Sequence, residues 1–185
     1  HGIDIREYGS KNIGSTNVFR TVGGKTAALV LLCDAGKGII AVMIAQSMTG
    51  GDLYAMLFAA IGALLGHNYS LFLGFKGGRG VATGLGLLIF LMPKVSGICF
   101  IVWLAIVLAT RYVSLGSCVG AFCAPCLAWY FGYPLPVFLF AAVAAAFVII
   151  RHKDNIKRLL NGTESKIRQG HAEDLKKLFY KHILF

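Results

Sequence analysis

Long apolar blocks, closely spaced along the chain, constrain this sequence more than any other feature; they run over 26–48, 53–65, 81–92, 95–109, 113–131 and 135–150. A helix of about 20 apolar residues crosses a bilayer. In lipid a segment must satisfy its own backbone N–H and C=O groups, so such blocks are expected to be helices. Hydrophobic residues fill 57% of the 185 positions and charged residues only 14%, which excludes an ordinary soluble domain. The expected fold is all-α, a polytopic integral membrane helical bundle forming a single domain over residues 1–185. Topology turns on Pro93-Lys94. If 81–109 were one proline-kinked span, the last polar stretch would lie opposite the first two. As two short turn-linked helices it gives six spans and puts every polar stretch on one side. The second arrangement is preferred: Arg6, Lys11, Arg20, Lys25, Lys76, Arg79, Arg111 and the basic tail then share the cytoplasm, leaving only Lys94 outside.

Three polar motif loops, about 6–20, 66–83 and 151–164, separate or flank these blocks. The central one holds Gly66-His67-Asn68 and Phe75-Lys76-Gly77-Gly78-Arg79-Gly80. Glycine admits φ > 0 and close backbone approach, and successive N–H groups in such a turn form an anion-binding concavity. Lys76 and Arg79 add full charges, and a helix starting at Val81 would aim its N-terminal dipole at the loop. The pattern suits a phosphate cradle; a plain basic turn has the same composition. In the first loop Ser10, Asn12, Thr16 and Asn17 are short donors and caps beside Arg20, suited either to turns or to a second phosphate-reading surface. In the third, His152, Asn155 and Leu159 recur at helical spacing. A neutral imidazole there could accept a hydroxyl proton, although Arg151 and Lys153 would lower its proton affinity. A basic helix end anchored on anionic lipid is the plainer alternative. Glu164, among cations, reads as a positioner of arginine rather than an acid.

The net charge is +10, and nine of the eighteen Lys and Arg fall at or after Arg151. Nucleic acid is a poor partner, because the aromatic residues sit inside apolar runs and not among the charges. Membrane lipid and phosphorylated substrates fit better. Asp34 and Lys37, at i,i+3 inside the first block, are expected to pair with each other. The five cysteines lie in apolar stretches, and Cys123-Ala124-Pro125-Cys126 reads as small residues packing in a helix. Near the end, Leu175, Leu178, Phe179 and Ile183 form an apolar stripe among Lys176, Lys177 and Lys181, expected to be a C-terminal interfacial helix.

The three loops together resemble the motifs of the bacterial acyl-phosphate:glycerol-3-phosphate acyltransferase (PlsY) family. The segments are Gly9-Ser10-Lys11-Asn12-Ile13-Gly14-Ser15-Thr16-Asn17-Val18-Phe19-Arg20, Gly66-His67 with Phe75-Lys76-Gly77-Gly78-Arg79-Gly80-Val81-Ala82-Thr83, and His152-Lys153-Asp154-Asn155-Ile156-Lys157-Arg158-Leu159 with Gly162-Thr163-Glu164. The resemblance implies a multi-pass enzyme of the bacterial inner membrane with its site on the cytoplasmic face. It would move a fatty acyl group from acyl phosphate to the sn-1 hydroxyl of glycerol 3-phosphate, the first acylation of bacterial phospholipid synthesis. The products would be lysophosphatidic acid and inorganic phosphate. No metal, organic cofactor or obligate protein partner is implied. Carried onto this chain, the catalytic residues are His152, Asn155 and Ser10. The substrate-binding residues are Ser10, Asn12, Thr16, Asn17, Arg20, His67, Lys76, Gly77, Gly78, Arg79, Gly80, Asn155, Arg158 and Glu164.

The chain departs from the family pattern in three ways. A seventh helix, the family's first, is expected before Gly2; Lys11 and Ser15 stand where glycine and alanine are usual; Arg79 replaces a lysine. Arg79 keeps the charge and adds a bidentate grip. Carrier-protein- or CoA-dependent acyltransferases expect aspartate five positions after a histidine, and Phe72, Lys157 and Lys176 follow His67, His152 and His171 at that spacing. An anion transporter would hold its ligand near mid-membrane on broken helices, not in loops at one face.

Overall fold

The computed structural model describes residues 3–167, so the amphipathic stripe expected at 175–183 lies outside the described residues. Among these the chain forms eight α-helices and no strand. In order they are α1 (Ser15–Thr21), α2 (Gly24–Thr49), α3 (Leu53–Asn68), α4 (Val81–Leu91), α5 (Pro93–Thr110), α6 (Val113–Tyr130), α7 (Leu135–Arg151) and α8 (Lys153–Leu160), with a 3-10 turn over Leu71–Leu73.

Local chemistry sets the breaks. Gly50, left-handed at φ 66°, ends α2, and the Asp52 carboxylate accepts from the Ala55 N–H at 2.7 Å to start α3. The 81–109 run is two helices, as expected. Met92, at φ −144° and ψ 67°, separates them, and Pro93 opens α5 where its missing N–H leaves no intrahelical bond unmade. Pro125 is accommodated within α6. Between α7 and α8 the chain bends by 59° at His152.

Four helical segments are long and apolar enough to cross a bilayer: Gly24–Thr49, Leu53–Leu73, Pro93–Thr110 and Val113–Tyr130. The pair α7–α8 reaches that length and hydropathy only when taken together across its 59° bend, and α4, at 11 residues, is shorter than a bilayer. Their outer faces present Leu29, Leu32, Ile40, Met43, Ile101 and Leu108. Inside, Met92, Val95, Cys99, Ala124, Ala128, Val137 and Ala141 join α5, α6 and α7. A second cluster of Val42, Leu57, Ala60, Leu64, Leu87 and Phe140 joins α2, α3 and α4 to α7.

With no hydrophobic drive between helices in lipid, close approach depends on small residues. A side chain at Gly86 of α4 would overlap the backbone of Ala35 on α2, and one at Gly38 of α2 would press on the Thr83 carbonyl of α4. This contact fixes the N-terminal end of α4, from which the site is built. Gly86→Ala is therefore expected to lower the thermal midpoint of the purified protein, by the equivalent of about 1–3 kcal/mol. Gly97→Ala, where an added methyl meets nothing within 4 Å, should hold or raise it.

Candidate active site

The first loop is wound around one buried amide. Asn17, 1% exposed, donates through Nδ2 toward the carbonyls of Ile5, Tyr8 and Asn12 at 3.1, 3.0 and 2.9 Å. Its Oδ1 accepts the Ser10 N–H at 2.8 Å. Gly9, at φ 57°, lies so close to that oxygen that no side chain fits there. Asn17 thus holds the loop's backbone, while the side chains of Ser10 and Thr16 keep their hydroxyls clear of any hydrogen bond among the described residues and line the cavity described below. On α1, Arg20 donates through Nη2 to the Ser165 carbonyl at 2.9 Å, and its Nε is buried without a partner among the described residues.

The glycine loop is folded differently from an open anion nest. The Gly78 N–H donates to the His67 carbonyl at 3.2 Å. The carbonyls of Gly77 and Gly78 accept from Arg151 Nη2 at 3.3 and 3.0 Å. Gly77 lies against the backbone of His67 and Asn68, and Gly78 against the His67 ring. Arg151 also stacks over Tyr69, 5.5 Å from the ring centre, so it staples this loop to the end of α7. The loop's tight packing presents Arg79 and the first turn of α4 inward, with Gly80 at φ 81° starting the helix. Arg79 has no hydrogen bond or ion pair among the described residues.

His67 itself closes a small ionic cluster. Lys37 Nζ lies 2.6 Å from both Asp34 Oδ1 and His67 Nδ1, so the pairing expected within α2 is present and is extended to α3. An ammonium only donates, so Nδ1 accepts and the ring proton sits on Nε2.

In the third motif Glu164 is the organiser. Its Oε1 accepts from Ser114 Oγ and Asn155 Nδ2, each at 2.7 Å, and its Oε2 accepts from Arg158 Nε at 2.7 Å. Burial pushes this carboxyl's pKa up, but the bonds from Asn155, Ser114 and Arg158 outweigh it and hold it below the usual range. Asn155 Oδ1 is left buried and unpartnered. His152, 3% exposed and just beyond the end of α7, has Nδ1 2.8 Å from the Val148 carbonyl. A carbonyl only accepts, so Nδ1 carries the proton and the neutral ring bares Nε2.

Residues from all three motifs line one polar cavity of about 110 Å³. Of the residues expected in the site, Ser10, Asn12, Thr16, Asn17, Arg20, His67, Arg79, Gly80, His152, Asn155 and Glu164 are there. Lys76, Gly77, Gly78 and Arg158 are not among its lining. Lys76 is exposed on the loop, the two glycines form the loop's packed underside, and Arg158 turns to Glu164. Ser114, Ser117, Trp103, Leu31 and Asp34 also line it and were not assigned to a site from sequence. The one signal the sequence holds for Ser114 and Ser117 is a pair of hydroxyls at i,i+3 near the start of an apolar block. An apolar cavity of about 260 Å³ adjoins the polar one, and the two share Leu31, Gly80, Val81, Ala82, Trp103 and Ser117.

The charges in the polar cavity do not cancel. Asp34 and Glu164 are matched by Lys37 and Arg158, at 2.6 and 2.7 Å. Among the described residues Arg20 and Arg79 have no carboxylate in salt-bridge contact. Burial lowers the proton affinity of both guanidiniums below the ordinary arginine range; Glu164 works against this and nearby Arg158 with it. Arginine nevertheless stays protonated at neutral pH. The arrangement can hold two anionic groups beside an imidazole acceptor, at the mouth of a space shaped for hydrocarbon.

A fold of apolar helices with this cationic, partly buried cavity defines a membrane enzyme class that handles phosphorylated lipid precursors. The model of the family described as glycerol-3-phosphate acyltransferase matches residues 1–162. Glycerol-3-phosphate acyltransferase 2 of Moorella thermoacetica is 50% identical over 167 residues, covering 90% of this chain and 85% of the relative. Two crystal structures of PlsY (YgiH), an integral membrane glycerol 3-phosphate acyltransferase, superpose on this fold. The glycerol 3-phosphate form has a TM-score of 0.86 at 42% identity, covering 96% of this chain and 86% of that one. The lysophosphatidic acid form has a TM-score of 0.81 at 43% identity, covering 85% and 80%. The chain belongs to the glycerol-3-phosphate acyltransferase family and is an integral membrane protein.

The state of His152 is directly measurable. Burial pushes its pKa down; the Val148 carbonyl works against this, Arg79 with it, and the value falls from 6.5 to about 4. Nitrogen-15 spectra of the imidazole should show the neutral Nδ1–H form from pH 7 down to about 5. Between the unfolded and folded values the unfolded chain binds more protons. The fold should therefore lose stability as pH falls through this window, by about 3 kcal/mol in all from this group. A midpoint near 6.5 in the folded protein would contradict the burial.

Proposed function

We propose that this protein transfers a fatty acyl group from acyl phosphate to the sn-1 hydroxyl of glycerol 3-phosphate, giving lysophosphatidic acid and inorganic phosphate. The observation that carries this reading is the junction of an apolar cavity with a polar one that holds two guanidiniums without carboxylate partners among the described residues. Both substrates bear phosphate, and an acyl phosphate adds a hydrocarbon chain. The cavity pair offers a place for each part. The reading is supported further by the activity for which the family is described and by solved relatives in glycerol 3-phosphate and lysophosphatidic acid forms.

In this account Arg20 and Arg79 grip the two phosphoryl groups by charge-assisted hydrogen bonds. Ser10, Asn12 and Thr16 donate to glycerol 3-phosphate, and the first turn of α4 adds its dipole. Asn17, His67, Gly77, Gly78, Gly80, Arg158 and Glu164 position these groups, and Lys76 draws anions toward the loop. His152 Nε2 accepts the hydrogen bond of the attacking hydroxyl, with Asn155 orienting it. The hydroxyl oxygen bonds to the acyl carbon while the carbonyl pair moves onto oxygen. Collapse of that intermediate breaks the bond to the phosphate oxygen, which leaves with the electron pair. An imidazole with a pKa near 4 holds a proton poorly. The departing phosphate, with a second pKa of about 6, is therefore the final proton carrier. Holding hydroxyl and carbonyl in contact supplies most of the remaining acceleration.

The domain spans residues 1–185 in the bacterial inner membrane with the cavity on the cytoplasmic side, as the positions of Arg20, Lys76, Arg79 and Arg151 support. The six helices α2–α7 are the crossings. At 1.5 Å per residue α4 is only about 16 Å long. Its N-terminus therefore sits below the membrane surface, where the reacting carbonyl of a lipid-embedded donor would lie.

The test follows phosphate release from palmitoyl phosphate by the purified protein, with and without glycerol 3-phosphate, and identifies the product by mass. Release dependent on glycerol 3-phosphate is expected; release without it, or none, contradicts the assignment. Arg79→Ala should lower kcat/KM by about 10–150-fold, the loss of one or two hydrogen bonds to a charged group. His152→Gln and Asn155→Ala should lower kcat, and unchanged kcat in both would remove them from the mechanism.

A further inference from the structure

The acyl carbonyl is the one part of an acyl phosphate that must sit where the two cavities meet, with its chain on one side and its phosphate on the other. Trp103, on α5, lies at that meeting point and lines both. Its indole Nε1 is buried and has no hydrogen-bond partner among the described residues. Buried donors are almost always paired, and an unpaired one in a cavity wall calls for a ligand acceptor. An indole N–H only donates, so the matching ligand atom is an oxygen with a free lone pair.

The other side chains shared by the two cavities leave this role open. Ser117 already donates its hydroxyl proton to the Val113 carbonyl at 2.8 Å. Leu31, Val81 and Ala82 carry no side-chain donor. The indole is also held in place: it stacks on Phe100 at 5.7 Å between ring centres and 23° between planes, and its Cδ1 edge rests close to the position a side chain at Gly116 would need.

We propose that the Trp103 indole N–H is a carbonyl subsite, donating to the carbonyl oxygen of the acyl donor and more strongly as negative charge builds there. The inference rests on the acyl-transfer reading above and adds to it the group that receives the developing charge. During the step the C=O pair moves onto oxygen, then returns as the bond to phosphate breaks. The indole proton stays on nitrogen throughout. A fixed donor aimed at a developing oxyanion is among the largest single contributions in acyl transfer.

Two variants and one spectrum test it. Trp103→Phe keeps an aromatic ring against Phe100 and removes the N–H. Replacing Trp103 by 3-benzothienylalanine keeps the bicyclic shape and puts sulfur in place of the N–H. Both should lower kcat by about 100-fold, with KM for glycerol 3-phosphate and the unfolding temperature unchanged. In each, the infrared band of a bound acyl phosphonate labelled with carbon-13 at the carbonyl should move to higher wavenumber as the hydrogen bond is lost. If the benzothienylalanine protein keeps kcat within about twofold of wild type, or the band does not move, the subsite is wrong while acyl transfer stands. If wild type itself releases no phosphate from palmitoyl phosphate in the presence of glycerol 3-phosphate, the acyl-transfer reading falls and the subsite falls with it.

Discussion

A guanidinium kept half-buried without a carboxylate to pair with it is the constraint to which the rest of this structure conforms. Removing such a charge from water costs several kcal/mol unless something compensates. Arg20 and Arg79 both line the polar cavity in this condition. Two carboxylates line the same cavity, but Asp34 is held by Lys37 and Glu164 by Arg158, at 2.6 and 2.7 Å. The leftover positive charge thus reflects the pairing pattern as well as a chain with eighteen Lys and Arg to eight Asp and Glu. An anionic ligand restores the balance, and two phosphoryl groups match two cations.

Holding those cations in place takes a scaffold of committed polar groups. Asn17 winds the first loop around its amide, Arg151 clamps the glycine loop through two carbonyls, and Glu164 gathers Ser114, Asn155 and Arg158. Arg151 and the Ser114–Glu164 bond link segments distant in sequence, and Arg20 ties the first loop to Ser165, so the three loops form one wall rather than three independent turns. The membrane adds the second requirement. Helices packed on glycine at Gly38 and Gly86 leave an apolar cavity that opens into the polar one. A substrate with a hydrocarbon tail and a charged head can then stay in both phases while its carbonyl is attacked.

Much of this was legible in the sequence, for identifiable reasons. Hydropathy and proline placement gave the helices and the break at Pro93, because backbone satisfaction and the missing proline N–H are local effects. The spacing of His152 and Asn155 placed both in the cavity, since i,i+3 residues share a helical face. Partner choice was less accessible. Lys76 and Arg79 look equivalent in the sequence, yet only Arg79 turns inward, because the Gly77 and Gly78 carbonyls face Arg151, more than seventy positions away. The glycine N–H groups expected to cradle phosphate are partly used within the loop, as Gly78 bonds to His67. Asn17 resembled a ligand-binding amide and is a structural hub. Ser114 and Trp103 sat inside apolar blocks, where nothing local distinguishes a wall residue from a lipid-facing one.

The central claim is that one pocket, built from three loops, holds phosphate through two guanidiniums that have no carboxylate partner among the described residues. Phosphorus-31 spectra of glycerol 3-phosphate titrated with the purified protein test it most directly. Wild type should shift and broaden the resonance saturably, and Arg20→Met and Arg79→Met should each weaken that binding by about tenfold or more. Binding of equal strength in wild type and both variants would contradict the account.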